Sequence, residues 1–211
     1  MARPRNANAE LTRQRILDAA IQRFADHGLK GTSLRAIGGD AGVTFATVHH
    51  HFGDKSSLYE RCLEASYEEL GGVRAVLGQA LEAMDGGVAD KLEALARSAF
   101  RFATDHASRS RFLLRATLYE DAASERTKRS QRDYLDVTSA VLAPVLGRPA
   151  QELRVPLQGL MFLLTRLAVM SDEERSIIAG ATDPARTHEE LADYVASVAL
   201  ATLLPRHETE S

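Results

Sequence analysis

The sequence predicts an all-α protein in which an N-terminal unit of three helices precedes a larger helical unit. Apolar residues recur at steps of three and four along most of the chain, the period of an amphipathic helix. Capping residues and glycines bound these stretches. No run alternates apolar and polar residues as a half-buried strand does. Counting the bounded stretches predicts about nine or ten helices.

Composition is that of an ordinary globular protein, but charge is unevenly distributed. The 211 residues carry a net charge of −3. Residues 1–58 hold eight Lys and Arg against five Asp and Glu, a net of +3, which leaves −6 for the remainder. A basic N-terminal segment followed by an acidic remainder is expected when only the N-terminal segment binds phosphates.

Cysteine content and hydropathy predict a cytoplasmic protein without a membrane partner. The single cysteine excludes an internal disulfide and fits a reducing compartment. No apolar run reaches membrane-spanning length, and the N-terminus lacks the apolar segment of a signal peptide.

The first helix is predicted to begin at a Thr12 cap and to end at Gly28, where a C′ glycine stops a helix cheaply. Residues 1–9 precede it and are predicted to form a short disordered arm.

The stretch 32–58 predicts two short helices joined by a tight turn, a helix-turn-helix. Ser33 is a plausible N-cap for the first short helix, Gly42 suits the turn, and Thr44 can cap the second. Val48 and Phe52 are four residues apart and hold the second helix against a core, which leaves its other face outward. This shape places its second helix in a DNA major groove.

Asp54 can cap the next helix, which is predicted to run from Lys55 to about Gly71. One end of this helix touches the helix-turn-helix and the other enters the body, so it links the two units mechanically. Cys62 lies on its apolar side and is interpreted as a packing residue rather than a sensor.

The remainder is predicted to be helical, with faces defined by regular apolar spacing. Two capping-box signals, at Ser171–Glu174 and Thr187–Glu190, predict the starts of a short helix ending at Gly180 and of the last helix. Other faces are lined by Val88, Leu92, Leu95, Ala99 and Phe102; by Phe112, Leu114, Leu118 and Tyr119; by Tyr134, Val137, Val141 and Val145; by Leu157, Leu160, Leu164 and Leu167; and by Leu191, Tyr194, Val195 and Val198.

The stretch 32–58 resembles the DNA-binding domain of the tetracycline repressor (TetR) family of bacterial transcription regulators. Two positions depart from the family pattern: Gly38 stands where Ala is usual, and His49 where Tyr is usual. The positions that fit are Thr32, Ser33, Leu34, Ile37, Ala41, Gly42, Val43, Thr44, Ala46, Thr47, Val48, His51, Phe52, Asp54, Lys55 and Leu58.

The resemblance implies a DNA-binding domain at residues 1–54 and an effector-binding and dimerisation domain at residues 55–211. It implies a homodimeric repressor that a small-molecule effector releases from a palindromic double-stranded operator. An activator and a ligand-independent DNA binder of the same fold remain alternatives. The dimer is predicted to form through the helix at residues 157–168 and the last helix, since both carry wide apolar faces.

DNA contacts are predicted from the outward face of the second short helix and its flanks. Thr47 can meet a base with its hydroxyl or a thymine with its methyl, and Phe45 can contact a thymine methyl. Lys55 adds positive charge at a helix N-terminus that already attracts anions. The predicted base-reading set is Phe45, Thr47 and His50 with Arg35; the predicted phosphate set is Thr44, His49, His51 and Lys55; Ala46 shares the same surface.

An effector pocket is predicted where aromatic and polar residues mix on the helices of the body. The same residues are also compatible with plain core packing. The candidates are Phe102, His106, Arg115, Tyr119, Tyr134, Met161, Phe162, Thr165 and Arg166.

Catalytic, metal and cofactor sites are not predicted. Three consecutive residues, His49–His51, point in three directions on a helix, whereas helical metal pairs need i,i+4 spacing. The sequence contains no phosphate loop, nucleophile elbow or dinucleotide fingerprint. An enzyme with a DNA-tethering head is therefore the disfavoured alternative.

Overall fold

The computed structural model describes residues 5–83, 85–119, 125–180 and 183–204, and over these ranges it contains ten helices and no strand, as predicted. The side chains of residues 5–7, 71–83, 119, 126 and 127 are outside this description. The helices are α1 (Arg5–Gly31), α2 (Leu34–Asp40), α3 (Phe45–Phe52), α4 (Lys55–Ala83), α5 (Val88–Asp105), α6 (Ala107–Tyr119), α7 (Glu125–Leu146), α8 (Ala150–Ala168), α9 (Asp172–Ala179) and α10 (Pro184–Leu203).

The first helix begins earlier than predicted. α1 starts at Arg5, so residues 5–9 are helical rather than a disordered arm, and Thr12 is not an N-cap. The Thr12 hydroxyl instead donates to the main-chain oxygen of Asn8, at 2.8 Å, inside the helix. Gly28 breaks the helix as predicted, with φ of 67°, a conformation that glycine adopts without a Cβ penalty. Residues 1–4 lie outside the described residues.

Two further helix boundaries differ from the sequence predictions. α4 continues to Ala83 rather than stopping near Gly71, because a helical glycine costs only about 1 kcal/mol and α4 packs against α5 and α7. α10 starts at Pro184 behind an Asp183 cap, whose carboxylate accepts from the Ala185 amide at 3.2 Å. Thr187 is therefore buried inside the helix, and the predicted capping box there was wrong.

Two apolar clusters form the core. The first joins α1, α2, α3 and the start of α4 with α6, and the second joins α5, α7, α8 and α10. An aromatic trio fixes α6 against the N-terminal helices: the Phe112 ring lies 6.1 Å from that of Phe24 and 5.1 Å from that of Tyr59. A helix of the body is therefore packed directly on α1.

Cys62 is fully buried in the first cluster, as expected of a packing residue. Burial raises the pKa of the Cys62 thiol well above its ordinary value, because a thiolate there would lose its hydration.

Helix α5 uses two faces. Its buried side chains include Leu92, Ala96 and Phe100, whereas the predicted face residue Val88 is 40% exposed. The remaining predicted positions, Leu95, Ala99 and Phe102, line a cavity that Leu92 and Ala96 also border.

Within the described residues, no single helix is long and apolar enough to cross a membrane. The pair α8 and α9 reaches that length and composition only jointly, and it is bent by 115°.

Candidate nucleic-acid interface and ligand cavity

Local hydrogen bonds build the turn between α2 and α3. The Ser33 hydroxyl accepts from the Ala36 amide at 3.2 Å and caps α2. Gly42 has φ of 65°, and the next amide, that of Val43, donates to the Gly38 main-chain oxygen at 2.8 Å. These bonds reverse the chain within a few residues, as the sequence predicts.

Helix α3 has one buried and one exposed face. Val48 is fully buried and Phe52 is 8% exposed, so both anchor the helix to the first cluster. The candidates Thr44, Phe45, Ala46, His49 and His50 are exposed, while Thr47 and His51 are half-buried. A continuous outward surface therefore runs along α3.

Thr44 and Thr47 are coupled at the start of α3. The Thr44 hydroxyl accepts from the Thr47 amide at 3.2 Å, the predicted cap, and the two hydroxyls lie 2.9 Å apart. The contact between the two hydroxyls therefore orients the Thr47 side chain at the start of α3.

Phe45 lies near candidates from both short helices. The Arg35 guanidinium of α2 is 5.8 Å from the Phe45 ring centre, and the His49 ring centre of α3 is 5.9 Å from it. Phe45 itself is 46% exposed. The fold thus brings a cation, an apolar ring and an imidazole onto one surface patch.

Lys55 lies where α4 meets the helix-turn-helix. Its ammonium donates to the Thr32 main-chain oxygen at 3.0 Å, which ties α4 to the residues that precede α2. The Asp54 carboxylate accepts from the Ser57 amide at 2.8 Å, as predicted for a cap, and this bond lowers the pKa of Asp54.

The three consecutive histidines do not converge. The His50 and His51 ring centres are 5.6 Å apart and their planes are nearly perpendicular. Among the described residues, no group of three His, Cys, Asp or Glu side chains is placed to hold a metal ion.

A cavity of about 170 Å³ lies in the body, walled by α4, α5, α6, α7, α8 and α10. Its lining is mainly apolar. Five of the candidates from the sequence share this lining: Phe102, His106, Tyr134, Met161 and Thr165.

The other ligand candidates lie elsewhere. Phe162 borders a smaller recess beside the cavity. Arg115 packs against Gly28 at the kink of α1, and Arg166 pairs with Glu174 at the start of α9. The structure does not bring these two arginines to the cavity lining, and the side chain of Tyr119 is outside the described residues.

Sequence inspection missed the charged residues of the cavity. Glu69 of α4 and Arg109 of α6 both line it, and the Arg109 Nε donates to Glu69 Oε2 at 2.8 Å. His106 Nε2 lies 3.5 Å from the other Glu69 oxygen. The available signal was helical spacing, because Arg109 follows the candidate His106 by three residues.

Comparison with known proteins agrees with this geometry. The sequence model of the family described as bacterial regulatory proteins, tetR family, matches residues 16–62, which span most of α1 through the first part of α4. The transcriptional regulator AcrR of Shigella flexneri is 42% identical over 71 residues, which are 34% of this chain and 33% of that protein. The matched part of the chain spans about a third of the length of this regulator and of two other curated relatives.

Solved structures extend the likeness to nearly the whole chain. The regulator FadR of Bacillus subtilis, in complex with stearoyl-CoA, has a TM-score of 0.60 at 17% identity and covers 88% of this chain and 98% of its own. AibR, in complex with isovaleryl coenzyme A and operator DNA, has a TM-score of 0.60 at 18% identity and covers 92% and 99%.

The fold and the α2–α3 surface define a helix-turn-helix unit at the front of an all-α protein. Residues 16–62 match the tetR family of bacterial regulatory proteins, and the solved structures share the fold of nearly the whole chain. The family match confirms the resemblance predicted for the N-terminal unit, and the solved structures confirm the predicted all-α fold.

Proposed function

We propose that the protein is a homodimeric transcriptional repressor that a small-molecule effector releases from a palindromic operator. Residues 1–54 form the DNA-binding unit and residues 55–211 the effector-binding and dimerisation unit. The observation that carries this proposal is the exposed face of α3, held outward by buried Val48 and Phe52 and by the Thr44 cap.

Base reading is assigned to Phe45, Thr47 and His50, with Arg35 beside them. The exposed ring of Phe45 can pack on a thymine methyl, and the Arg35 cation near that ring favours a guanine or a phosphate. The DNA backbone is assigned to Thr44, His49, His51 and Lys55, and Ala46 shares the same surface. Phosphate contacts from these positions fix the register of α3 without specifying sequence.

Dimerisation is assigned to α8 and α10, which pack against each other along one side of the body. Val155 of α8 is 81% exposed and Tyr194 of α10 is 53% exposed. Large exposed apolar side chains on neighbouring helices are typical of an interface, and a two-fold dimer matches a palindromic operator.

The effector is assigned to the cavity of the body. A mainly apolar cavity with a few polar groups is the usual form of a small-molecule site. Acyl-CoA complexes of the structural neighbours FadR and AibR support an apolar effector for the same fold. Because the cavity includes α4 and α6, an effector there adjoins both helices that pack on the DNA-binding unit.

The family match at residues 16–62 and the single cysteine support a cytoplasmic location. A transcriptional activator remains the second candidate, because the same DNA contacts would serve repression or activation.

Selection of bound duplexes from a random library, at about physiological salt, tests the proposal. A repeated two-fold-symmetric sequence and a dimer mass by sedimentation are expected. Phe45→Glu, which places a negative charge on the exposed patch, should abolish selection, whereas Val137→Glu on exposed α7 is the matched control. Binding without sequence preference would refute the proposed function.

A further inference from the structure

Arg109 is the one described residue whose side chain lines the cavity and also pairs with α1. Its Nε donates to Glu69 Oε2 of α4 at 2.8 Å, and its Nη2 donates to Asp18 Oδ1 of α1 at 3.3 Å. Its side chain is 18% exposed. A single guanidinium therefore joins the effector cavity to the DNA-binding unit.

The third nitrogen of this guanidinium lacks a partner. Arg109 Nη1 is buried and makes no hydrogen bond to any described residue. An unsatisfied buried donor costs free energy, which a ligand acceptor would recover. Arg109 Nη1 is thus a hydrogen-bond donor that is available to a ligand.

The neighbouring charges restrict the acceptor. Glu69 is already engaged by Arg109 and lies beside His106, so it is not a free counter-ion for a cationic ligand. His106 Nδ1 lies 2.9 Å from the Phe102 main-chain oxygen, which can only accept, so this nitrogen carries a proton. Arg109 is already paired with the two carboxylates of Asp18 and Glu69, so its charge is not free to hold a ligand carboxylate. An uncharged oxygen acceptor fits best.

We propose that the cavity binds an apolar-chain ligand with an uncharged carbonyl head, that Arg109 Nη1 donates to this carbonyl, and that the contact weakens the Arg109–Asp18 pair. The second part deepens the proposed function, because it names how effector binding reaches α1. The Arg109–Asp18 contact is long at 3.3 Å, and the guanidinium is a rigid planar fork, so turning Nη1 toward the carbonyl also moves Nη2 and weakens its bond to Asp18. Arg109 is therefore a ligand-binding residue, and Asp18 is a positioning residue that acts through it.

The chain supplies a matched control for Asp18. Arg111 Nη1 of α6 pairs with Asp26 Oδ1 of α1 at 3.0 Å, and Arg111 is exposed and absent from the cavity lining. Each aspartate also accepts from a glutamine of α1: Gln14 for Asp18 and Gln22 for Asp26. Asp18→Asn and Asp26→Asn therefore remove equivalent interhelical pairs, and only the first pair reaches the cavity.

Ligand class is tested on the full chain with four probes of equal chain length: methyl decanoate, decanoate, decyltrimethylammonium and decane. Displacement of a fluorescent apolar dye gives each affinity. Arg109→Met should weaken methyl decanoate about fivefold, the equivalent of one hydrogen bond, and leave decane unchanged. Equal affinity of the variant and the wild type for the ester, or tighter binding of either charged probe, would overturn the assignment.

The coupling between ligand binding in the cavity and α1 is tested by amide hydrogen exchange in α1 and by release of DNA. Both are measured with saturating methyl decanoate. The ester should speed exchange in α1 and release DNA from the wild type and from Asp26→Asn. Asp18→Asn should bind the ester equally well and show neither response. Identical responses in the two aspartate variants would refute the coupling. If the wild type binds no specific DNA, the proposed function fails, while the exchange measurement still decides the coupling.

Discussion

The Lys55 ammonium donates to the main-chain oxygen of Thr32 at 3.0 Å, so the first residue of α4 is bonded to the residue before the α2 cap. This bond holds the Lys55 ammonium at the N-terminus of α4, against the residues that precede α2. Lys55 therefore ties α4 to the helix-turn-helix, and the proposed function gives it a phosphate contact as well.

Replacing Lys55 separates the two roles. Lys55→Gln keeps a donor for Thr32 but loses the charge, so DNA binding should weaken for all sequences. The slope of log affinity against log salt should fall by about one, as for one lost phosphate contact. Fluorescence anisotropy over a salt series measures both.

Lys128→Ala is the control, because this lysine lies on α7 and pairs with Glu125 on the body. An unchanged slope in Lys55→Gln would show that this residue meets no phosphate.

Thr47 should control base preference rather than overall affinity. Thr47→Val removes the hydroxyl but keeps the amide that donates to the Thr44 cap. Repeating the duplex selection should therefore give an operator altered at one position of each half-site, with non-specific affinity retained.

Thr44→Ser retains the capping hydroxyl and should select the wild-type operator. A uniform loss of affinity in Thr47→Val, without altered preference, would contradict the assignment.

Gly38 and Gly39 are adjacent in α2 but differ in surroundings. A Cβ on Gly39 meets nothing within 4 Å, whereas a Cβ on Gly38 would lie 3.0 Å from the Val43 main-chain oxygen. Gly39→Ala should stabilise the protein by about 0.5–1 kcal/mol through helix propensity. Gly38→Ala should stabilise the protein less or destabilise it, because the turn at Val43 must move to make room for the Cβ. Urea unfolding compares the free energies of unfolding of the two variants. Equal stabilisation would show that the turn moves without cost.

The pair of Arg23 and Asp40 should make stability sensitive to acid. Arg23 Nε lies 2.5 Å from Asp40 Oδ2, and this hydrogen bond lowers the pKa of Asp40. The pKa of Asp40 is lower in the folded state than in the unfolded state. The contribution of the pair to the free energy of unfolding is therefore complete above the unfolded-state pKa, and it is lost as pH falls through the folded-state pKa. Asp40→Asn should therefore flatten the acid side of the stability profile.

Urea unfolding from about pH 6 to about pH 3 measures this difference. Parallel profiles for the variant and the wild type would show that the pair contributes nothing, as many exposed ion pairs do.

Local signals predicted the α2–α3 unit well because the forces that shape it are local. Ser33, Thr44 and Asp54 each accept an amide proton from the residue three positions onward, and such bonds depend on spacing alone. The start of α10 was missed because Asp183 followed by proline is an equally local signal that the capping-box pattern at Thr187 obscured.

The cavity was only partly predicted, because its charged residues meet through tertiary contacts. Glu69 and Arg109 are forty residues apart and each resembles an ordinary surface charge in sequence. Arg115 and Arg166 are the opposite case, because their apolar neighbours in sequence predicted a place in the pocket. In the structure Arg115 lies against Gly28 and Arg166 pairs with Glu174.

The sequence by itself determined the helical class, the family of the N-terminal unit and the outward face of α3, because periodicity and caps act over a few residues. Only the tertiary structure decided that α6 packs on α1 and that Arg109 meets both Glu69 and Asp18. Those contacts join distant segments, and their geometry follows from how whole helices pack rather than from any local pattern.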